Sequence, residues 1–235
     1  MISIQEDKAS VAAFAASHVA KLIEASAGRF VLALSGGSTP KLFHRVLVED
    51  FAGLPWDRVN VFVSDERAVE PTDENSNVRM ARETLVDPLG LKLLAPDGVA
   101  ANPAKAATAY EAALLGATNG TGAADVVMLG MGDDGHTASL FPDYDPPNGL
   151  VAAAQAPKET VAARRLTFTF EAIRRAKEVV VLVAGESKAA ALHRVIDERD
   201  TALPLTRVFL ERNGKVTLIA DAAAAKDLVP MGVHR

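Results

Sequence analysis

Short apolar segments that alternate with helical ones constrain the fold of this chain more than any other feature. The segments are rich in valine, leucine and alanine, and polar or glycine-containing stretches follow each of them: FVLAL (30–34), VNVFV (59–63), DVVMLG (125–130), VVVLVAG (179–185) and VTLIAD (216–221). A run that is apolar throughout is typical of a strand buried on both faces of a parallel sheet. RLTFTF (165–170) alternates instead, and this pattern predicts a half-exposed strand.

Helical patterns fill the gaps between the apolar runs. They cover residues 8–27, 40–51, 76–86, 103–115 and 186–198. Strands that alternate with helices predict an α/β fold, a doubly wound, mostly parallel sheet with helices on both faces. We expect residues 1–235 to form a single domain and VTLIAD to close the sheet at one edge.

Composition excludes several classes of function. The net charge of −5 gives no electrostatic basis for binding nucleic acid, and no apolar stretch reaches the ~18 residues that a membrane span needs. The chain has no cysteine, which excludes disulfides and thiolate chemistry and is typical of a reducing compartment. We therefore expect a cytoplasmic protein with no nucleic-acid or membrane partner, as a monomer or a weak homo-oligomer.

Ligands of open α/β sheets bind beyond the carboxyl ends of the strands. The first such loop is SGGSTP (35–40), in which Gly36 and Gly37 let backbone N–H groups turn toward an anion. Ser38 and Thr39 add hydroxyl groups that can bind the same anion or cap the next helix. The sequence leaves both interpretations open, a phosphate site or an ordinary tight turn.

Two further loops carry cations. Arg67 follows a strand directly in SDER, and its planar fork suits a phosphate, although a surface ion pair would account for it equally well. Lys188, in GESK, is predicted to lie in the first turn of a helix, where the helix dipole disfavours a cation. A bound anion would offset that cost, and a solvated lysine is the alternative.

The stretch LGMGDDGHTASLFP (129–142) contains G-x-G-x-x-G, which in another context would bind a dinucleotide. Such a turn needs a long helix after the third glycine, and Pro142 stops any helix within a few residues. Asp133 and Asp134 would also repel a pyrophosphate. We therefore expect the glycines to permit sharp turns that direct His136 into the cleft.

The remaining histidines lack companions that would suggest chemistry. His18, His44 and His193 fall within helical segments, and His234 is near the end of the chain. No zinc-ligand spacing and no G-x-S-x-G nucleophile motif occurs in the sequence. His136, beside carboxylates and anion-binding groups, suits general-base catalysis on a phosphorylated substrate.

In their order along the chain, five segments resemble the 6-phosphogluconolactonase family. They are LALSGGSTP, VFVSDERAV followed by NSN, LGMGDDGHTASLFP, RRLTFT and VAGESKA. The resemblance implies a fold related to that of sugar-phosphate isomerases and a phosphosugar lactone as substrate, with no metal and no organic cofactor. It also implies that His136 is the catalytic base with Asp134 beside it, while the SGGST loop, Arg67 and Lys188 hold the phosphate.

Two alternatives accompany this interpretation. Glucosamine-6-phosphate deaminases resemble the same family but continue past the histidine with I-A-F-N-E-P, whereas this chain reads T-A-S-L-F-P. A sugar-phosphate sensor that regulates transcription would need a basic helix-turn-helix, and the first thirty residues contain none. The sequence does not decide whether Asp65, Glu66 or Asp134 orients His136.

Overall fold

The computed structural model describes residues 1–157 and 162–229, and its centre is a seven-stranded sheet. The strand order is β1-β10-β9-β6-β2-β3-β5, and every neighbouring pair is parallel. Across the described residues the strands of both sheets are β1 Ile2–Gln5, β2 Phe30–Leu34, β3 Val59–Val63, β4 Asp65–Arg67, β5 Lys92–Leu93, β6 Val126–Leu129, β7 Val151–Gln155, β8 Arg164–Phe168, β9 Glu178–Val183 and β10 Lys215–Asp221. This confirms the mostly parallel α/β fold.

The helices occupy the segments between strands. Those in the described part of the chain are α1 Lys8–Ala25, α2 Ser38–Asp50, α3 Asn77–Ala81, α4 Asp87–Leu89, α5 Pro103–Ala117, α6 Phe170–Arg175, α7 Ala189–His193 and α8 Pro204–Leu210. The helices predicted over 76–86 and 186–198 each contain a π-helical turn, Arg82–Val86 and Arg194–Glu198. Within the described residues, none of these helices has the length and apolar character required to cross a bilayer.

The order of the strands places helices on both faces of the sheet. From β1 through β2 and β3 to β5 the chain moves in one direction across the sheet, and through β6, β9 and β10 it moves back. Because crossovers between parallel strands are right-handed, the two directions put their helices on opposite faces. The core contains α1 and α2 packed together, with fully buried residues such as Val11, Val19 and Phe43.

A second sheet has three antiparallel strands in the order β4-β8-β7. Tyr110 of α5 packs between the two sheets, with ring centroids 5.5 Å from Phe62 and 6.1 Å from Phe168. Its hydroxyl accepts the N–H of Val63 at 2.8 Å and donates to the carbonyl of Val63 at 3.1 Å. The tyrosine thus provides hydrogen-bond partners for the backbone of the last residue of β3. At this point the chain leaves the main sheet and enters β4.

Two details of the sequence prediction were wrong. The alternating segment at 165–170 contributes β8 to the small sheet and is buried from Arg165 to Phe168, where α5 packs against the strand. The strand over 216–221 does not close the sheet, since β1 pairs with its outer edge. The short and partly exposed sequence ISIQ carries too few apolar residues to reveal that strand.

A buried ionic cluster fixes the amino-terminal end of the main sheet. Glu178, at the start of β9, contacts Nε2 of His18 at 2.8 Å and the ammonium of Lys215 at 3.2 Å, and it accepts a hydrogen bond from Thr217 at 2.6 Å. Burial alone would raise the pKa of Glu178, but the bonds to His18 and Thr217 outweigh it and lower the pKa to about 2. The carboxylate therefore stabilises the folded state while it is ionised.

We expect Glu178→Gln to lower the free energy of unfolding at pH 7 by on the order of 3 kcal/mol, since one pKa unit corresponds to about 1.4 kcal/mol. A carboxyl with a lowered folded pKa contributes its full stability above the unfolded pKa, near 4.5. That contribution is lost as the pH falls toward 2. Denaturant unfolding at several pH values should show the wild type and the variant converging in acid.

Glu171→Gln provides the control for this prediction. Glu171 pairs with Arg174 and Arg175 on the surface, where such pairs contribute about 0.5 kcal/mol or less. Equal stability of Glu178→Gln and the wild type at pH 7 would contradict the assigned role of the buried cluster.

Candidate active site

A cavity of about 300 Å³ lies at the carboxyl ends of the parallel strands. Every loop that the sequence analysis singled out contributes to it, together with β4 and β8 of the small sheet. The lining residues are Ser35, Gly36, Asp65, Arg67, Gly130, Met131, Gly132, His136, Thr137, Ala138, Phe141, Arg165 and Lys188. The main sheet has brought segments that are far apart in the sequence to one place.

A larger groove of about 1010 Å³ lies at the opposite end of the sheet, where β2, β9 and β10 begin. The carboxylates that line it are already paired, Glu178 as described above and Asp125 with Lys177 at 2.6 Å. It contains none of the candidate residues from the sequence. The smaller cavity is therefore the candidate site.

His136 is oriented by a carboxylate two residues earlier in the chain. Its Nδ1 lies 2.6 Å from Oδ1 of Asp134, which also accepts the backbone N–H of His136 at 3.1 Å. A carboxylate can only accept, so Nδ1 carries the proton and Nε2 is left as the basic nitrogen. The ring packs against Phe141, with centroids 4.8 Å apart. This arrangement can accept a proton from a molecule in the cavity.

Two glycines make this orientation possible. A Cβ on Gly132 would lie 2.1 Å from Nδ1 of His136 and 2.5 Å from Oδ1 of Asp134, so any side chain at this position would displace the imidazole and the carboxylate. Gly135 has a φ of +78°, a conformation that disfavours other residues. In the described residues the next helix is α6, which begins after β8, and this agrees with the rejection of a dinucleotide turn.

The other two candidate carboxylates have structural partners. Glu66 is buried and accepts four hydrogen bonds, from the backbone N–H groups of Arg67, Asn77 and Val78 and from the Ser76 hydroxyl. It thereby satisfies donors at the beginning of α3. Asp65 lines the cavity and accepts from the hydroxyl of Ser139 at 2.7 Å. Of the three carboxylates, Asp134 is the one in contact with the imidazole.

Three cations line the cavity, and the sequence analysis identified two of them. Arg67 donates from Nη1 to the carbonyl of Asn75 at 2.7 Å, and its buried Nε has no hydrogen-bond partner in the described structure. Arg165, which sequence reasoning missed, is its register partner on β8. Burial, and next the charge of Arg67, lower the pKa of Arg165. Like charges at opposed positions destabilise a sheet, and an anion between them would relieve that cost.

The third cation, Lys188, follows β9 and is 24% exposed at the side chain. It lies in a short 3-10 turn, Glu186–Lys188, that leads into α7. Its ammonium is 2.6 Å from Oδ1 of Asp133, which is itself part of the loop that carries His136. The unfavourable position of a cation at a helix start is thus offset by a carboxylate of the chain.

The SGGST loop contributes less directly than expected. Gly36 lines the cavity, and its position is tight, because a Cβ there would lie 2.0 Å from Oδ1 of Asn77. Gly37, Ser38 and Thr39 form the beginning of α2 and do not line the cavity. The hydroxyl of Ser38 accepts a hydrogen bond from Lys8 at 2.6 Å.

The other histidines have local partners away from the cavity. His18 contacts Glu178, and His193 contacts Asp197 at 2.8 Å. His44 is fully buried beside Thr84, and burial lowers the pKa of its imidazole to about 3. His234 lies outside the described residues. Within the described residues, no group of three or more histidines and carboxylates could hold a metal ion.

Comparison with known proteins shows which family the sequence matches. The family model described as glucosamine-6-phosphate isomerases/6-phosphogluconolactonase matches residues 6–218. A 6-phosphogluconolactonase of Nostoc sp. is 37% identical over 214 residues, which cover 86% of this chain and 85% of that protein. The 6-phosphogluconolactonase of Rattus norvegicus is 33% identical and covers 99% of this chain and 94% of that protein.

Solved structures agree with the sequence comparison. The 6-phosphogluconolactonase of Leishmania guyanensis is 31% identical, covers 100% of this chain and 99% of its own, and superposes with a TM-score of 0.85. A monomeric glucosamine-6-phosphate deaminase also gives a TM-score of 0.85, over 96% of this chain and 99% of its own, but is only 20% identical. The deaminase therefore shares the fold, and its likeness says nothing about activity.

We expect Gly132→Ala to displace the imidazole of His136, because the added methyl group would occupy the space of Nδ1. The φ of Gly132 is outside the left-handed region, so the backbone itself can accept alanine and the melting temperature should change little. The measurement is the proton resonance of Nδ1–H in NMR, which should disappear as the bond to Asp134 is lost. Gly116→Ala, with nothing within 4 Å, is the control. An unchanged resonance in Gly132→Ala would contradict the proposed packing.

Proposed function

The chain belongs to the glucosamine-6-phosphate isomerase/6-phosphogluconolactonase family, and from that premise we propose that it hydrolyses 6-phospho-D-glucono-1,5-lactone to 6-phospho-D-gluconate. The enzyme is a lactone hydrolase of the pentose phosphate pathway. The observation that carries this proposal is one cavity lined both by an oriented histidine, His136, and by three cations. The histidine suits the attack of water on the lactone, and the cations suit its phosphate.

In the proposed mechanism Nε2 of His136 takes a proton from water as the water oxygen bonds to the lactone carbonyl carbon. Asp134 holds Nδ1–H and stabilises the imidazolium that forms. Backbone N–H groups of the glycine-rich loops would stabilise the oxyanion. The bond from the carbonyl carbon to the ring oxygen then breaks, and the imidazolium returns the proton to that oxygen. Hydrolysis needs no nucleophilic side chain, because a lactone is already activated.

The phosphate is assigned to Arg67, Arg165 and Lys188, with the backbone around Gly36 beside them. Guanidinium groups donate paired hydrogen bonds to phosphate oxygens. The buried Nε–H of Arg67 has no partner in the described structure and can donate to a phosphate. Gly37, Ser38 and Thr39 remain predicted phosphate contacts, supported by their position at the start of α2, where a helix dipole favours an anion.

Two activities can be distinguished by one pair of assays. Acid release from freshly prepared 6-phosphogluconolactone, above the spontaneous rate, is expected for a lactonase. Ammonia release from glucosamine 6-phosphate would instead indicate a deaminase, and binding without either reaction would indicate a sensor. The segment T-A-S-L-F-P after His136 supports the lactonase.

Assembly and location are part of the same proposal. A monomer or weak homo-oligomer is supported by the small number of large apolar side chains exposed within residues 1–157 and 162–229. A cytoplasmic location is supported by the absence of cysteine.

We expect His136→Gln to lower kcat by about 10²–10⁴-fold, the usual contribution of a general base, and to lower kcat/KM with it. Glutamine keeps much of the size and polarity of the ring, so the melting temperature and the binding of 6-phosphogluconate should change little. Spontaneous hydrolysis of the lactone must be subtracted from both rates. A near-normal kcat in the variant would remove His136 from the mechanism.

We expect Arg67→Ala and Lys188→Ala mainly to raise KM, because the phosphate is held equally in the ground and transition states. A charge-assisted contact contributes about 1.5–3 kcal/mol, so each KM should rise roughly ten- to a hundredfold. Unphosphorylated gluconolactone should be a poor substrate, and its residual rate should be the same in the wild type and in both variants. If the wild type hydrolysed both lactones equally well, the phosphate site would be wrongly assigned.

A further inference from the structure

Lys188 lines the cavity, and its ammonium is bound to a carboxylate of the same chain. Its Nζ lies 2.6 Å from Oδ1 of Asp133, and the hydroxyl of Ser187 donates to the same oxygen at 3.1 Å. The hydrogen bond from Lys188 lowers the pKa of Asp133, which therefore stays ionised. The contact joins the loop after β6 to the loop after β9. The charge of Lys188 is therefore balanced by a carboxylate of the chain itself.

Arg67 has a different kind of partner. Its Nη1 donates to the carbonyl of Asn75, a neutral acceptor that leaves the charge of the guanidinium available. Lys188, unlike Arg67, has its ammonium 2.6 Å from an anionic group, and the side chain of that group, Asp133, is 65% exposed. A phosphate that binds Lys188 must therefore share the ammonium with Asp133 or displace it.

We propose that Asp133 is a positioning residue that competes with the phosphate of the ligand for Lys188 and thereby weakens the retention of product. This inference rests on the proposed function. Hydrolysis of the lactone adds one carboxylate to a molecule that already carries a phosphate, so the product is the more negative ligand. When Asp133 pairs with Lys188 again, it favours the departure of the product.

The size of the effect follows from the exposure of Asp133. Charges in contact with water are screened, and exposed ion pairs change an equilibrium only a few-fold. Removing the charge of Asp133 should therefore tighten anion binding by about two- to fivefold at low ionic strength. The gain should shrink as salt is added, because added ions screen the competition.

Asp133→Asn separates this competition from a purely structural role of the loop contact. Asparagine keeps a carbonyl oxygen that can accept from Lys188 and Ser187, but it removes the negative charge. The test measures the dissociation constant of inorganic phosphate by calorimetry and the inhibition constant of 6-phosphogluconate in the lactonase assay. Both constants should fall two- to fivefold in Asp133→Asn at low salt and approach the wild-type values at high salt.

Two further variants show whether the effect passes through Lys188. In a Lys188→Met background, Asp133→Asn should leave both constants unchanged, since there is no ammonium to compete for. Glu186→Gln removes one negative charge from the same turn as Lys188, but Glu186 pairs with Lys226 and does not line the cavity. This control should bind phosphate as the wild type does.

Constants that are unchanged or raised in Asp133→Asn would overturn the inference, as would a gain that persists in the Lys188→Met background. A wild type that binds phosphate without hydrolysing the lactone would refute the proposed function, while the phosphate titrations would still decide the role of Asp133. A wild type that hydrolyses the lactone but binds no inorganic phosphate would overturn the inference and leave the proposed function standing.

Discussion

The main sheet is buried on both faces, and this constraint determines where any chemistry can occur. Its strands must be apolar along their length, so polar groups are confined to the strand ends. Parallel pairing then aligns those ends, with Leu34 opposite Val63 and Leu129 opposite Val181. The loops that follow β2, β3, β6 and β9 consequently meet at one edge of the sheet.

Polar loops at such an edge need partners of their own, and much of the charge near the cavity serves this purpose. Glu66 accepts four hydrogen bonds, three of them from donors at the start of α3 that would otherwise be left unsatisfied. Tyr110 satisfies the backbone of Val63 and lets the chain pass from the main sheet into β4. Arg67 reaches the cavity because the chain makes this crossing. Within β4, Glu66 therefore accepts hydrogen bonds from the backbone, whereas its neighbours Asp65 and Arg67 line the cavity.

The sequence predicts the main sheet well because an apolar run is a local signal. It also leads to His136, since that histidine follows two aspartates and a glycine in a segment that predicts a sharp turn. Arg165 was missed because its place in the cavity depends on antiparallel register with Arg67, a pairing between strands about a hundred residues apart. The same holds for Lys188 and Asp133, whose contact depends on the alignment of β6 with β9. Local patterns identify elements, whereas non-local register determines which side chains meet.

The cavity loops also hold one another in place, independently of the sheet. Gly36 has no Cβ, so the side chain of Asn77 can approach its backbone. Asn77 in turn donates to Oδ1 of Asp65 at 3.1 Å, and Asp65 accepts from Ser139, three residues after His136. This chain of buried contacts connects the glycine-rich loop, the small sheet and the histidine loop. Because buried polar groups are costly to separate, these contacts fix the spacing between the three loops that line the cavity. In the proposed mechanism, preorganisation of this kind helps a single base to be sufficient, since no binding energy is spent on bringing these three loops together.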